Sequence, residues 1–322
     1  MTDPRQLYRA SWDAAELMQR HPPRFGNRSK AAAFEHLMAA GGAPAGSVGA
    51  SRWATEGLLQ ERKPAVAVRM EPGFFRYDDR AGGLEWHVNF AAHDLFCAYT
   101  TSLLAQDELQ VLEHPALASV RQALRAGGQS TLVVEDGRPT PILVHGVERR
   151  GWLDTAPSPA RPHGLYGNNF AASSIPRMLE ALAPIVPPTT SHIIAIEAPP
   201  GGSGRYAFDE IAFILDTATT GFRAAVLESG RLAPGKRVVV HTGWWGCGAY
   251  GGNRELMGVL QLEAAALAGL DELVFHAGDA TGERDFEAVV EAHRALREIE
   301  GTTEMIERLV ARGYRWGVSN GT

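Results

Sequence analysis

The sequence predicts an α/β sandwich, with helices on both faces of one sheet. Three observations carry this. Short β-branched runs alternate with helical patterns from Ala65 onward, and alternation of that kind builds layered α/β domains. Of the 322 residues, 45% are hydrophobic and 21% charged, which supplies enough apolar material for a sizeable core. The alternation is interrupted by no internal repeat and no low-complexity tract.

Taken in order, the N-terminal stretch reads as short helices at Ser11–Met18 and Lys30–Ala40, broken by His21-Pro22-Pro23 and by the loop Gly41–Ala50. It is expected to form a helical extension over residues 1–62, packed on a main domain at 63–322. Strands are expected at Ala65–Arg69, Leu84–Phe90, Thr131–Glu135, Ile142–Val147, Ile193–Glu197, Arg237–His241 and Glu272–His276. Helices are expected at Leu103–Glu113, Pro115–Arg125, Ser174–Leu182, Asp209–Glu228, Asn253–Ala268, Phe286–Arg297 and Thr303–Ala311. The Pro/Gly-rich run Ala198–Gly204 is short and leads into a helix, so it reads as a surface loop within one domain.

Composition excludes several functions. Lys+Arg number 31 against 37 Asp+Glu, a net charge of −6 without like-charge blocks, so there is no broad basic footprint for nucleic acid. Cys97 and Cys247 are too few for a disulfide framework or a four-cysteine zinc site, and suit a reducing, cytoplasmic setting. No secretion signal or apolar run of membrane-spanning length is found, so no membrane partner is expected. The 11 histidines are scattered, without His-x-His or His-Glu-x-x-His spacing, and neither a metal nor a cofactor is expected.

The 35 glycines are about half again the usual share, and their placement matters more than their number. Gly230-Arg-Leu-Ala-Pro-Gly235-Lys236 has phosphate-loop spacing, but Arg237 stands where Ser or Thr is needed and the strand comes after the loop, so an ordinary turn is the better reading. Gly246-Cys247-Gly248-Ala249-Tyr250-Gly251 is a literal G-x-G-x-x-G between a strand and a helix, with Asp271 lying 20 residues further on. Backbone N–H groups and a helix N-terminus in such a place attract pyrophosphate. A Rossmann domain is disfavoured, because Thr242-Gly243-Trp244-Trp245 separates strand from glycine and the remaining chain is too short for two nucleotide-binding halves. The wider run Thr242–Asn253, including Gly252, still describes a loop whose backbone approaches something closely.

A second feature is a carboxylate inside an apolar stripe. Ser102 is expected to cap a helix from Leu103 to Glu113, on which Leu104, Glu108, Val111 and Leu112 share a face, with Gln106 and Asp107 beside them near the N-terminus. A buried ionised carboxyl is costly when unpaired, so Glu108 is either satisfied by the strand beneath it or held for chemistry.

Asn89-Phe90-Ala91-Ala92, and after an interval Gln106-Asp107-Glu108, resembles the poly(ADP-ribose) glycohydrolase signature, in which Asp-Phe-Ala-Asn leads through Gly-Gly-Gly to Gln-Glu-Glu. The Thr242–Asn253 run is similar to that family's second glycine loop, and Leu260–Ala266 and Phe275–Asp279 resemble the family's sequence beyond that loop. Gly146–Arg149 and Ala218–Phe222 are weaker matches, and the resemblance spans roughly residues 65–320.

The resemblance implies a macrodomain-like α/β/α core with a mixed sheet that binds ADP-ribose and cleaves a ribosyl O-glycosidic bond of ADP-ribosylated protein, nucleic acid or small molecule. It implies Glu108 as general acid/base and Asp107 as the carboxylate on ribose hydroxyls. Gln106, Asn89 and Phe90 join them, with Gly243, Gly246, Cys247, Gly248, Ala249, Tyr250, Gly251 and Gly252 around the diphosphate and ribose. Phe96, Cys97 and Ala98 occupy the Gly-Gly-Gly positions, where side chains replace bare backbone. Ala92 replaces the signature Asn, Asn89 replaces its Asp, and Asp107 is shorter than Glu by one methylene. These departures describe a reshaped pocket: an ADP-ribose glycohydrolase of altered specificity, with a non-catalytic ADP-ribose or NAD-derivative binder and a nucleotide-dependent enzyme as alternatives.

Overall fold

Runs such as Val238-Val239-Val240 and Ile193-Ile194 have no polar face to offer water, so a strand made of them is buried on both sides. In the computed structural model, which describes residues 3–55, 57, 66–77, 82–296, 298–299 and 301–321, they form the middle of an eight-stranded sheet. Its strands are β1 (Arg5–Asp13), β2 (Ser47–Ala54), β3 (Ala67–Glu71) and β4 (Gly83–Phe90) and, past a small hairpin of β5 (Val134–Glu135) and β6 (Arg138–Pro139), β7 (Ile142–Leu153), β8 (Leu182–Ile196), β9 (Arg237–Thr242) and β10 (Glu272–His276). The order across the sheet is β1-β2-β7-β8-β4-β9-β10-β3. Strands β8, β4, β9, β10 and β3 run parallel, with Val88 beside Ile194 and Trp86 beside Val240, whereas β7, β2 and β1 join antiparallel.

The helices are α1 (Ala14–Arg20), α2 (Arg28–Gly41), α3 (Gln106–Glu113), α4 (Ala116–Ala126), α5 (Asn169–Ala172), α6 (Ile175–Ala181), α7 (Phe208–Leu232), α8 (Arg254–Ala268), α9 (Ala280–Arg294) and α10 (Thr302–Arg312). Strand alternation divides them into two layers. Trp86, Val88, Ile194 and Val240 pack with Phe222 of α7, Leu260 of α8, Val289 of α9 and Leu309 of α10. On the opposite face Val144, Ile193 and Ala195 pack with Leu17 of α1 and Leu124 of α4. A third cluster joins Leu37 of α2, Leu112 of α3 and Met178 of α6 to Leu153 and Leu182. Each such side chain contributes roughly 1.5–3 kcal/mol of burial. The result is the expected three-layer arrangement around a mixed sheet, and no helix among the described residues is long and apolar enough to cross a membrane.

The N-terminal stretch differs from the helices-only expectation. Strand β1 runs through Asp13, whose side chain caps α1, and β2 lies where a loop was expected. Both extend the main sheet: Ala50 pairs with Val144, and Gly49 leaves room for the His145 ring. The expected division at residues 62 and 63 lies outside the described residues. Helix α3 begins at Gln106 and not at Leu103, because the Glu108 carboxylate, in place of the Ser102 hydroxyl, closes its first turn. Helix α9 begins earlier than expected, at Ala280, where the Asp279 carboxylate accepts from the Thr281 and Gly282 N–H groups. Arg297, the expected end of that helix, lies outside the described residues.

Candidate active site

Parallel strands β8, β4 and β9 are neighbours, and their C-terminal ends carry Glu197, Asn89-Phe90 and Gly243 respectively. Loops at that edge of an open α/β sheet are the usual place for a ligand. The first turn of α3 is pinned there by Gln106: its Oε1 accepts from the Phe90 N–H at 2.8 Å, and its Nε2 donates to the Val88 carbonyl at 3.1 Å. With both ends of its amide on β4, Gln106 orients the two acids that come after it.

Asp107 and Glu108 are each only 4% exposed, and buried residues surround nearly the whole of α3, so the apolar stripe was too narrow a description of this helix. Glu108 Oε2 accepts from the Ala105 N–H at 2.8 Å, and Asp107 Oδ1 accepts from Asn89 Nδ2 at 3.0 Å. Asp107 Oδ2 and Asn89 Oδ1 are buried without a hydrogen-bond partner among the described residues. Such an unmade bond costs about 1–3 kcal/mol. Both carboxyls are held above the usual carboxylate range, chiefly by burial; Asp107 is pushed further by the charge of Glu108, while Lys30 pulls both down. Interacting acids of this kind lose their protons as a pair.

Phe96 answers the question posed by the missing glycines. Its φ is 53°, so it takes the left-handed conformation for which glycine is suited, at a cost of about 1–2 kcal/mol. The ring is fully buried with Leu95 and Tyr99 in the core below and therefore does not fill the cleft. Phe96 thus takes the positive φ that a glycine would take at this position, at the conformational cost expected of a side chain there. Cys97 is half-buried, with its thiol raised by burial and then by Asp107 and Asp94. The loop is anchored before Phe96 by a two-pronged Arg121–Asp94 pair, both bonds 2.6 Å, and within it by the Ala98 carbonyl, which accepts from Thr101.

The second glycine loop is bare for two reasons. A Cβ on Gly243 would meet the His276 carbonyl oxygen at 2.9 Å, and one on Gly252 would meet the Gly246 carbonyl oxygen at 2.8 Å. Gly246 and Gly251 have positive φ, and a Cβ on Gly251 would press on the backbone of Val318 and Ser319. These four glycines therefore serve the loop's own folding, including its cover by residues 317–320, where the Gly317 N–H donates to Gly251 O at 2.8 Å and the Asn320 N–H to Gly248 O at 3.3 Å. The N–H groups of Gly246, Gly248, Ala249 and Tyr250, by contrast, make no hydrogen bond among the described residues. Cys247 donates weakly to the Trp245 carbonyl, and burial raises its thiol to about 12.

The two loops meet. The Tyr250 phenol donates to Glu197, which also bonds His93 Nδ1 at 3.1 Å. Burial raises that phenol to about 12, helped by the charges of Glu197, Asp107 and Glu108. The Tyr166 phenol sits on the Gln106 backbone and is likewise raised to about 12, by burial and by Glu108. Lys30, His93, Tyr166 and Glu197 were not singled out from the sequence. Glu197 could have been found as the acid ending a central strand, and Lys30 as a cation in the buried stripe Lys30-Ala33-Leu37 of α2.

The scattered histidines also come together. On the same sheet face, His241 Nε2 lies 3.1 Å from Glu85 Oε2 and its Nδ1 lies 3.0 Å from His276 Nε2, with the His87 ring beside them. Glu85, His87 and His241 bring ligand atoms within 4.8 Å of one another. The His87 and His241 rings are stacked at 4.4 Å and 15°, however, so their in-plane lone pairs run alongside each other and do not converge on a shared cation. Glu85, His241 and His276 form a hydrogen-bonded chain, and the His87 ring, whose nitrogens have no hydrogen-bond partner among the described residues, stacks against it.

Residues 188–284 match the family model described as poly(ADP-ribose) glycohydrolase (PARG), macro domain fold. That segment holds Glu197 and the second glycine loop, and excludes Asp107 and Glu108. Among solved structures, the chain is similar to the poly(ADP-ribose) glycohydrolase of Thermomonospora curvata, at 15% identity over 86% of this chain and 87% of that one, with a TM-score of 0.48. It is also similar to the poly(ADP-ribose) glycohydrolase of Deinococcus radiodurans in complex with ADP-ribose, at 13% identity over 88% of this chain and 97% of that one, with a TM-score of 0.45. Over residues 188–284, the chain is therefore similar to the poly(ADP-ribose) glycohydrolase macro domain.

Proposed function

We propose that the protein is a glycoside hydrolase acting on ADP-ribose linkages, cleaving a ribosyl O-glycosidic bond with Glu108 as general acid/base. The observation that carries this reading is the buried Asp107–Glu108 pair set beside a loop with four uncommitted N–H groups. Glycosyl cleavage develops oxocarbenium character on the ribose and negative charge on the leaving oxygen. Glu108, whose hold on its proton is strengthened by burial, gives that proton to the leaving oxygen; once ionised, it takes a proton from the attacking water. Asp107 Oδ2 and Asn89 Oδ1 are open acceptors for ribose hydroxyls. The N–H groups of Gly246, Gly248, Ala249 and Tyr250 suit a diphosphate near the N-terminus of α8. Gln106 is a positioning residue, Phe90 and Tyr250 line the ribose side, and Cys97 and Ala98 border the mouth. The two free thiols, Cys97 and Cys247, accord with a reducing, cytoplasmic location.

The test is mass-spectrometric detection of ADP-ribose released from a panel of ADP-ribosylated proteins, nucleic acids and small molecules. Release by the parent is expected, with a loss of at least about a hundredfold in Glu108→Gln, the scale of a general acid's contribution. Equal release by the variant would remove Glu108 from the chemistry.

A further inference from the structure

Lys30 is 2% exposed, in the N-terminal stretch that the sequence left without a role. The segment before α2 runs along the loop that stands in for the family's glycines. The Gly26 N–H donates to Thr100 O at 3.1 Å, the Arg24 N–H donates to the Tyr99 phenol at 2.9 Å, and Phe25 packs edge-on against Tyr99. Asn27 then caps α2 by accepting from the Lys30 N–H, which turns the Lys30 side chain inward. There the ammonium donates to the Leu103 carbonyl at 2.5 Å and to the Ala98 carbonyl at 3.5 Å, one beyond the turn Cys97–Thr100 and one within it.

A buried cation needs negative charge as well as dipoles. Lys30 makes no direct ion pair among the described residues, and the carboxyls acting on it are Glu108 and Asp107. The other groups around the pair are committed elsewhere or neutral: Arg121 is held by Asp94, Glu197 by His93 and Tyr250, and the Tyr166 and Tyr250 phenols and the Cys97 thiol carry no charge at neutral pH.

We propose that Lys30 is a positioning residue that clamps the Phe96–Leu104 loop and, as the uncommitted cation at the site among the described residues, balances one of the two acids so that the other keeps its proton. This deepens the glycohydrolase reading and rests on it, since the retained proton is the one delivered to the leaving oxygen. The N-terminal segment thus supplies by clamping what the missing glycines supply by shape.

The experiment follows carboxyl and lysine titrations by carbon NMR in the full chain, alongside pH–rate profiles. In Lys30→Met the Asp107/Glu108 steps should move up by about one pH unit, the alkaline limb of kcat should move with them, and KM should rise several-fold; Lys30→Arg should keep the parent limb. Coupling is reciprocal, so in Glu108→Gln the Lys30 titration should fall by about one pH unit, and this arm decides the matter if Lys30→Met does not fold. Unchanged titrations in an active protein would overturn the role given to Lys30 alone. Coupled titrations in a protein that releases no ADP-ribose would keep the charge balance and remove the glycohydrolase reading.

Discussion

Two adjacent acids raised by burial give the unliganded protein an unusual pH dependence. A carboxyl whose folded pKa lies above its unfolded value binds more protons in the folded state, so its stabilising contribution is complete below the unfolded value. That contribution is lost as pH rises through the folded value. Asp107 and Glu108 both act in this sense, starting from ordinary values of 3.8 and 4.5. Asp94 acts oppositely: against some desolvation, Arg121 and Thr131 hold it low, so its contribution is lost as pH falls. Asp107→Asn keeps the acceptor for Asn89 while removing the charge. Its melting temperature should therefore exceed that of the parent by about 1–3 °C at pH 8 and by less at pH 5. Thermal melts at the two values check this, and an equal gain at both would place the cost of Asp107 in shape, not in charge. At this scale the sequence was informative where one residue conflicts with its pattern, as Glu108 does on an apolar face. It could not show how Phe96 fits, because a positive φ with a ring turned into the core is settled by the packing around Leu95 and Tyr99 and not by the local string.

At the scale of elements, strands with a continuous apolar centre, such as β9 and β10, stand where the sequence placed them. The miss at β1 and β2 has a physical cause. Strand β1 is half-buried at the edge of the sheet, and the Ala- and Ser-rich text of β2 has no strong period until neighbours on both sides supply it. The first half of β8 was missed because Pro184, Pro187 and Pro188 argue against a strand unless it is extended and partly exposed, as it is here. The second glycine loop was legible as a loop, but the use of each glycine was not: four serve contacts with the chain itself. Gly248 has no positive φ, so a side chain is tolerated by its backbone. Gly248→Val should leave the melting temperature within about 1 °C of the parent. It should also weaken ADP-ribose binding at least about tenfold, the value of one lost hydrogen bond to a charged group. Calorimetric titration reads this directly, and parent-like affinity would move the diphosphate away from this loop.

For the molecule as a whole, the candidate site is assembled by both ends of the described chain. Residues 24–30 brace the first loop, and the segment after α10 returns over the second. Trp316 fixes that return: it stacks on Tyr206 at 4.2 Å, donates to Glu210 at 3.2 Å, and lies against Gly202, where no Cβ could fit. Beyond it the Gly317 and Asn320 N–H groups meet the loop carbonyls, and the Gly321 carbonyl accepts from Asn168 at 2.9 Å, next to the segment that carries Tyr166. Such convergence of distant segments has no local signature, which is why nothing in the sequence joined Lys30, Tyr166 and Glu197 to the site while the paired acids and the glycine run were legible. Trp316→Ala should release this clasp without touching the sheet. Loss of a well-packed tryptophan costs about 3–5 kcal/mol in a core, and less at this half-buried position. Amide exchange of residues 246–252 should then speed up at least about tenfold, while β4 and β9 exchange as in the parent, because the opening is local. ADP-ribose affinity should fall in step, since a loop that must first be ordered binds by the fraction already ordered. Unchanged exchange in the loop would mean that it holds its shape unaided, and that its four crowded glycines suffice to fix the geometry offered to the diphosphate.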